Sequence, residues 1–440
     1  MKLMGLCLIF RHIIDVQEQN GFCFDKKKAI ELYNELRDKE KALGEDIRKV
    51  FKKHKVYSKD YKYRLKADGT PFASYQRHEQ DFEIEWTGVD TYRTIQYQEF
   101  NIGSPKQRKD YLLGVGWKPT KFTPKGNPKV DEESLLEFAE ESGIKEVKMM
   151  AEWLVCNGRA NMINTWLENS KDYDDLTFIH GKVMSCGAGS RRCTHSSPNT
   201  ANIPSVHAKY GAEARGLWVA RPNRVLVGID ASGLEGRVFI HYLGSKEAEE
   251  FMLNDPHTAN ANAITEVVGF LVSRQQAKTL FYARLYGASD FKLGSTLGYD
   301  AGVGEKIRFA IDSNIPGFME LAEGIEAEWK KNNTFIETID GGFVRCVSPH
   351  AALNYKFQSC GAIIMKQAAI IHRNMLDEQN LDAIKVGDIH DEWQIDCLPE
   401  HADLVGKSGC LAINRAGHEL KLNIELDGDY SVGTNWAETH

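Results

Sequence analysis

Long apolar runs are missing from this chain. No stretch approaches the roughly 18 residues a membrane-spanning helix needs, so no membrane partner is expected. The opening segment MKLMGLCLIF mimics a secretory leader, but Arg11 and His12 follow with no small-residue cleavage site. Leu3 to Phe10 therefore reads as a packing helix. A C-x-x-C pair is also missing, and the nine cysteines are odd in number and scattered. That pattern supports neither a structural zinc site nor a disulfide framework, and it fits reduced thiols in a cytoplasm. Positive charge is not in excess: 55 Lys and Arg against 62 Asp and Glu leave a net charge of −7. A uniformly positive coat is excluded, whereas a local basic patch is not. Internal repeats and low-complexity segments are absent, which removes solenoids and disordered tails.

What remains is globular. Hydrophobic residues make up 42% and charged residues 27%, near soluble averages, which excludes disordered, collagen-like and fibrous classes. A length of 440 residues exceeds one usual hydrophobic core, so two or three subdomains are expected. Residues from about Asp25 to Phe51 carry apolar positions at helical spacing. From about Lys53 to Gln98 the texture changes to short strands and hairpins, with FEIEW, YRTIQY and the turn signal Asp68-Gly69. Helices return near Lys106 and from Asp131 to about Trp166. One basic run stands out, Arg48 to Lys66, in which Asp60 is the only acid. It is either a solvated helix end or a nucleic-acid contact.

Three later segments carry chemistry. Val225 to Arg237, VLVGIDASGLEGR, is a β-rich run ending in an acid. Burying such an acid is costly unless a cation neutralises it, and hard oxygen ligands suit magnesium. Alternatively, Asp230 caps the following helix. Asp388 to Asp396, DIHDEWQID, has the alternation of a strand pair around a tight turn. It is either an exposed polar turn or a hairpin tip whose Asp391 faces Asp230, the two sharing metals for phosphoryl displacement. Ser273 to Gly287, SRQQAKTLFYARLYG, declares both helix ends, with a Ser273/Gln276 capping box and Gly287 suited to the position after the last turn. Arg274, Lys278, Tyr282 and Tyr286 recur every four residues on one face. That face either takes a triphosphate and a stacked base or is the basic rim and aromatic core of an ordinary amphipathic helix.

In this order the three segments resemble motifs A, B and C of family A (Pol I-like) DNA polymerases: DASGLE, R-x-x-x-K-x-x-x-Y-x-x-x-Y-G and HDE. NGFCFD, EFNIGSPKQ, HGKV, THSSPNTANIPS, DPHT, SPHAALNYKFQSCGA and the terminal GTNWAETH extend the likeness, the last to short-tailed-phage replicative enzymes. Only about 53–98 falls outside it. The resemblance implies an α+β right-hand polymerase fold, with a thumb region over 1–175 that includes a β-rich insertion at 53–98. Palm segments over 176–260 and 340–440 would enclose fingers over 261–339. It implies that Asp230, Asp391 and the Ala231 carbonyl hold two Mg2+ ions, one lowering the pKa of the primer 3′-hydroxyl and one neutralising the triphosphate. Glu392 stands beside them in a lesser catalytic role. His257, Arg274 and Lys278 would bind the triphosphate, with Lys278 a general acid toward pyrophosphate. Glu235 and Tyr286 would exclude a 2′-hydroxyl. Tyr282 stands where phage relatives carry Tyr and bacterial ones often Phe, which implies weak discrimination against dideoxynucleotides. Arg192, Asn354, Gln358 and His390 match minor-groove contacts at the primer terminus.

The family's Thr-Gly-Arg before the palm reads Ser190-Arg191-Arg192 here, implying a different local backbone or an extra phosphate contact. The likeness starts just before the thumb, so no proofreading exonuclease domain is expected, and a separate 3′-5′ exonuclease would supply that activity. The insertion would clamp DNA, recruit a processivity factor or be passive, the first being favoured, and the partners otherwise are primer-template DNA and dNTPs in the cytoplasm of an infected host cell. Two rival readings stand beside this one. A single-subunit RNA polymerase shares the palm aspartates but lacks the Glu235 gate and the acidic pair of motif C. An idle DNA clamp has no need of two facing acids.

Overall fold

The computed structural model describes residues 3–51, 53–119, 122 and 126–440; Lys52 of the basic run lies outside them. The chain divides into two compact units, one formed by residues up to Tyr33 with Asn161–His440, the other by Asn34–Ala160.

The larger unit is organised on a four-stranded antiparallel sheet, ordered Ala383–Ile389, Glu392–Cys397, Val225–Ala231, Gly428–Gly433. Val225–Ala231 is a central strand, which explains its near-continuous apolar reading: Leu226 to Ile229 are buried and Asp230 alone is exposed. Behind the sheet lie the helices Ala352–Glu378 and Ala402–Glu419, and Leu3–Asn20 packs on the first of these and on the edge strand. Phe10 and Ile14 are buried in the same core, so the opening apolar run is a packing helix as read. That core continues through Pro256–Val268, Arg274–Leu285, Ala301–Asn314 and Phe318–Lys331. The helical group is pinned by paired charges. Arg284 grips Asp312 with two bonds of 2.9 and 2.8 Å, and Arg308 reaches Asp290 at 2.7 Å.

The smaller unit holds the insertion. His54–Tyr57 and Tyr61–Lys62 pair with one edge of Thr91–Gln98, and Glu83–Trp86 with the other. The expected strands are present, but Ala73–Asp81 is a helix that alternation did not signal. It forms because Tyr75 packs into a cluster with Tyr63, Trp86 and Tyr92. The helical stretch from Asp131 is likewise two helices, Glu132–Ser142 and Lys145–Asn169, broken where Gly143 adopts φ +64°. The basic run is partly neutralised: Lys55 lies 3.7 Å from Glu83, and Lys53 3.9 Å from Glu99. Of the expected thumb region, residues 34–160 form this unit, while Leu3–Asn20 packs with the sheet.

Gly228 shows how tightly the sheet is covered. A Cβ there would meet the Thr439 carbonyl oxygen at 2.0 Å. Gly228→Ala should therefore cost about 1–3 kcal/mol, the usual range for overpacking, measured by urea unfolding. A change within about 0.5 kcal/mol would show that the segment around Thr439 yields without loss.

Candidate active site

The sheet brings two of the sequence-marked acids together. In register, Asp230 stands opposite Glu392 on one neighbour and Asp429 on the other. The hairpin turns at His390, whose φ of +59° is left-handed, and this leaves Asp391 at the tip. The tip docks on the end of the central strand, because the Ala231 amide donates to the Asp391 carbonyl at 3.1 Å. Asp230 is not a helix cap, since the Leu234–Leu243 helix starts at Gly233 with no side-chain cap. Withdrawal from water, then Asp391 and Glu392, push the Asp230 pKa up to about 7. Burial also raises that of Asp391, against its own backbone amide, Arg192 and His390. Among the described residues, no ion pair engages either carboxylate.

Glu392 stands opposite Asp230 in register, and its carboxylate is buried in a network of its own. It accepts from Gln394 and the Trp436 indole, and lies 2.9 Å from the His440 imidazole. Arg215, 3.9 Å from Glu392 and stacked on Trp436, completes the set. Sequence reading missed Arg215, Trp436, His440 and Asp429, because they are distant in the chain and no spacing links them to the hairpin.

The Arg274–Leu285 helix has its capping box in place, with the Ser273 hydroxyl accepting from the Gln276 amide and the Gln276 side chain from the Ser273 amide. Gly287, at φ +79°, follows its last turn as the sequence suggested, and a Cβ there would strike the His350 carbonyl. The four-residue row is real. Lys278 is exposed, and Tyr282 and Tyr286 stack with centroids 6.4 Å apart. Arg274 is held by Asp255, the cap of the Pro256–Val268 helix, at 2.9 Å. That guanidinium and the Thr258 hydroxyl hold the Asp255 carboxyl well below its ordinary range. His257 lies 5.9 Å from the Tyr282 ring, with burial, Arg274 and Lys278 lowering its pKa. No ion pair joins Arg274 or Lys278 to Asp230 or Asp391.

Glu235 joins the two groups. It accepts from the Tyr286 hydroxyl and from Arg192, the latter at 2.5 Å. Arg192, Glu235, His390 and Asp391 line one cavity with Phe357 and Met365. Arg192 therefore sits at the site, paired with Glu235. Burial, Arg192 and His195 lower the His390 pKa. Asn354 and Gln358 are half-buried one turn apart on the Ala352–Glu378 helix. Arg191 takes φ +63°, a backbone glycine favours, and its guanidinium binds Asp340 at 3.0 Å and the Phe343 carbonyl at 3.2 Å. Its side chain makes an internal ion pair here.

The family profile described as DNA polymerase family A matches residues 73–438. The chain belongs to this family. As a member it is a DNA-directed DNA polymerase. It is 30% identical to the DNA-directed DNA polymerases of Enterobacteria phage T3 and of Escherichia phage T7, in each case over 96% of this chain and 68% of the phage protein. DNA polymerase I of Pseudomonas aeruginosa is 26% identical over 78% of this chain and 39% of its own. In solved structures, the Pol1 polymerase domain from M. smegmatis, in complex with DNA primer-template and dNTP, superposes with a TM-score of 0.74. It shares 17% identity, covering 98% of this chain and 70% of that one. The polymerase thus has the α+β right-hand fold.

The crowded acids carry a pH signature. In the metal-free polymerase Asp230 keeps its proton up to about pH 7, whereas an unfolded aspartate loses it near its ordinary 3.8. The folded state binds more protons between those values, so stability falls as pH rises through that window. Asp230→Asn removes the penalty. Its melting temperature in EDTA should match wild type below pH 3.8 and exceed it increasingly up to pH 7. A pH-independent margin would overturn this assignment.

Proposed function

We propose that the polymerase adds deoxynucleotides to a primer 3′ end by two-metal nucleotidyl transfer. The observation that carries this is the carboxylate pair, Asp230 and Asp391, raised in pKa and held in no ion pair among the described residues. That donor set fits hard divalent ions such as Mg2+. Among the described residues no three Asp, Glu, His or Cys side chains form a closed cage, so the Ala231 carbonyl, water and phosphate oxygens would supply the other ligands. Bound there, the metals would acidify the primer hydroxyl and offset charge on the triphosphate and pyrophosphate.

In this reading Arg274 exchanges Asp255 for the incoming triphosphate, with Lys278 and His257 beside it. Both partners of the Arg274–Asp255 pair are exposed, which makes the exchange inexpensive. Tyr286 and Glu235, joined by their hydrogen bond, form a wall against a 2′-hydroxyl, and this favours DNA over RNA synthesis. Arg192, His390, Asn354 and Gln358 face the primer terminus, while Glu392 acts by fixing the hairpin tip through its Gln394, Trp436 and His440 contacts. The palm and fingers follow the assignment made from the sequence, whereas the thumb would be the Asn34–Ala160 unit alone.

The phage relatives support a role in viral DNA replication inside the infected host cell. We further propose that these 440 residues do not proofread and that a separate exonuclease does. The insertion would serve processivity through DNA or a partner protein.

Primer extension with purified chain and magnesium tests the reading. Deoxynucleotides but not ribonucleotides should extend the primer, and a mismatched 3′ end should remain uncleaved. Asp391→Ala should lower the rate on the order of 10³-fold or more, since a lost metal site forfeits several kcal/mol of transition-state stabilisation. Extension by the variant at the wild-type rate would refute the two-metal site. The Tyr282 hydroxyl stands in for the missing 3′-hydroxyl of a dideoxynucleotide. Tyr282→Phe should therefore increase discrimination against terminators about tenfold, the value of one hydrogen bond. An unchanged incorporation ratio would remove that role.

A further inference from the structure

Lys366, on the Ala352–Glu378 helix, is only 3% exposed, yet among the described residues it joins no ion pair. It ends the four-residue row that runs from Asn354 through Gln358 and Ala362. Ala362, Met365 and Lys366 line the cavity they share with Arg192, Glu235, His390 and Asp391. The ammonium donates to the Arg191 carbonyl at 2.6 Å, stands 3.4 Å from the Cys186 sulfur and lies 5.6 Å over the Phe10 ring. A cation buried without a carboxylate partner is costly. An apolar side chain would fill this space without that cost, so packing alone does not account for a lysine here.

What the ammonium holds is one peptide. The turn before it is closed by two bonds, from the Arg191 amide to the Ala188 carbonyl at 2.9 Å and from the Ala188 amide to the Arg192 carbonyl at 3.1 Å. Neither uses the Arg191 carbonyl, which is left for Lys366. Arg191 also keeps its left-handed φ of +63°, so the peptide that follows needs a hold of its own. Beyond that peptide the Arg192 guanidinium donates to one oxygen of Glu235 at 2.5 Å, and the Tyr286 hydroxyl donates to the other. A chain of bonds therefore runs from Lys366, through a single peptide, to Glu235 and Tyr286.

We propose that Lys366 is a positioning residue of the polymerase: its ammonium fixes the Arg191–Arg192 peptide, aims Arg192 at Glu235 and so sets the preference for deoxy- over ribonucleotides. This rests on the reading of Glu235 and Tyr286 as the wall against a 2′-hydroxyl. Lys366 itself touches no substrate. Without its bond the peptide is released, and Arg192 no longer pins its oxygen of Glu235. The carboxylate, held then by the Tyr286 hydroxyl only, yields to a 2′-hydroxyl more readily.

The test is single-nucleotide addition by the full chain with magnesium and primer-template, read as the ratio of kcat/KM for a deoxynucleotide to that for the matching ribonucleotide. A merely structural role lowers both values alike and cancels in the ratio. Lys366→Met should lower the ratio about fivefold, as should Lys366→Gln, whose shorter side chain ends before the carbonyl. Urea unfolding checks that each variant is folded, and where the Met variant is not, the Gln variant decides. Arg192→Ala should lower the ratio at least as much, and adding Lys366→Met to it should change the ratio by less than about twofold, because what Lys366 positions is already gone. An unchanged ratio in the folded Lys366 variants, a folded variant inactive toward both nucleotides, or effects that simply add in the double variant would overturn the proposal. Glu235→Ala separates the two readings. If it loses the ratio while the Lys366 variants keep it, the positioning role alone fails; if it keeps the ratio, the wall fails and this proposal with it.

Discussion

Two carboxylates are held near each other with no ion pair to either among the described residues, and the rest of the larger unit enforces that arrangement. Asp230 reaches its place because the central strand is buried on both faces up to its last turn of register. Asp391 reaches its place because the carbonyl at the hairpin tip accepts a hydrogen bond from the Ala231 amide. Like charges and partial burial raise both pKa values. A fold tolerates such crowding only if its core supplies the stability elsewhere. The core running from the opening helix through the sheet to the Arg274–Leu285 helix meets that condition.

The contrast with other buried charges makes the pair legible as a site. Asp396, almost fully buried, is bound by both Arg221 and Arg224. Asp312 is bound by Arg284, and Asp340 by Arg191. Even Glu392, adjacent in sequence to Asp391, is surrounded by donors. These buried carboxylates are each matched by a cation or by donors. The exposed Arg274–Asp255 pair is a third kind, a contact weak enough to be exchanged for a phosphate.

Much of the chemistry was readable from local pattern. The capping box, the four-residue row from Arg274 to Tyr286 and the hairpin around His390 depend on residues a few positions apart, so spacing alone specifies them. Two of the alternatives left open there turned on distant contacts. Asp230 proved free because Gly233 starts the next helix, and the HDE turn proved packed because it meets a strand 160 residues earlier. Arg191, read as a phosphate contact or a changed backbone, keeps the left-handed conformation and binds Asp340. The Ala73–Asp81 helix was invisible because its apolar face is one tyrosine packed on rings from two strands and a loop.

The sequence by itself determined the order of the motifs, the periodicity of each element and, through them, the family. Those are properties of residues close together in the chain, where helix and strand geometry converts spacing into direction. Only the tertiary structure decided which acids are left unpaired and which are neutralised. It alone also placed Arg192 on Glu235 and turned Glu392 toward Trp436 and His440. Each of those outcomes joins segments tens to hundreds of residues apart, and charge pairing across such distances has no periodic trace in a sequence.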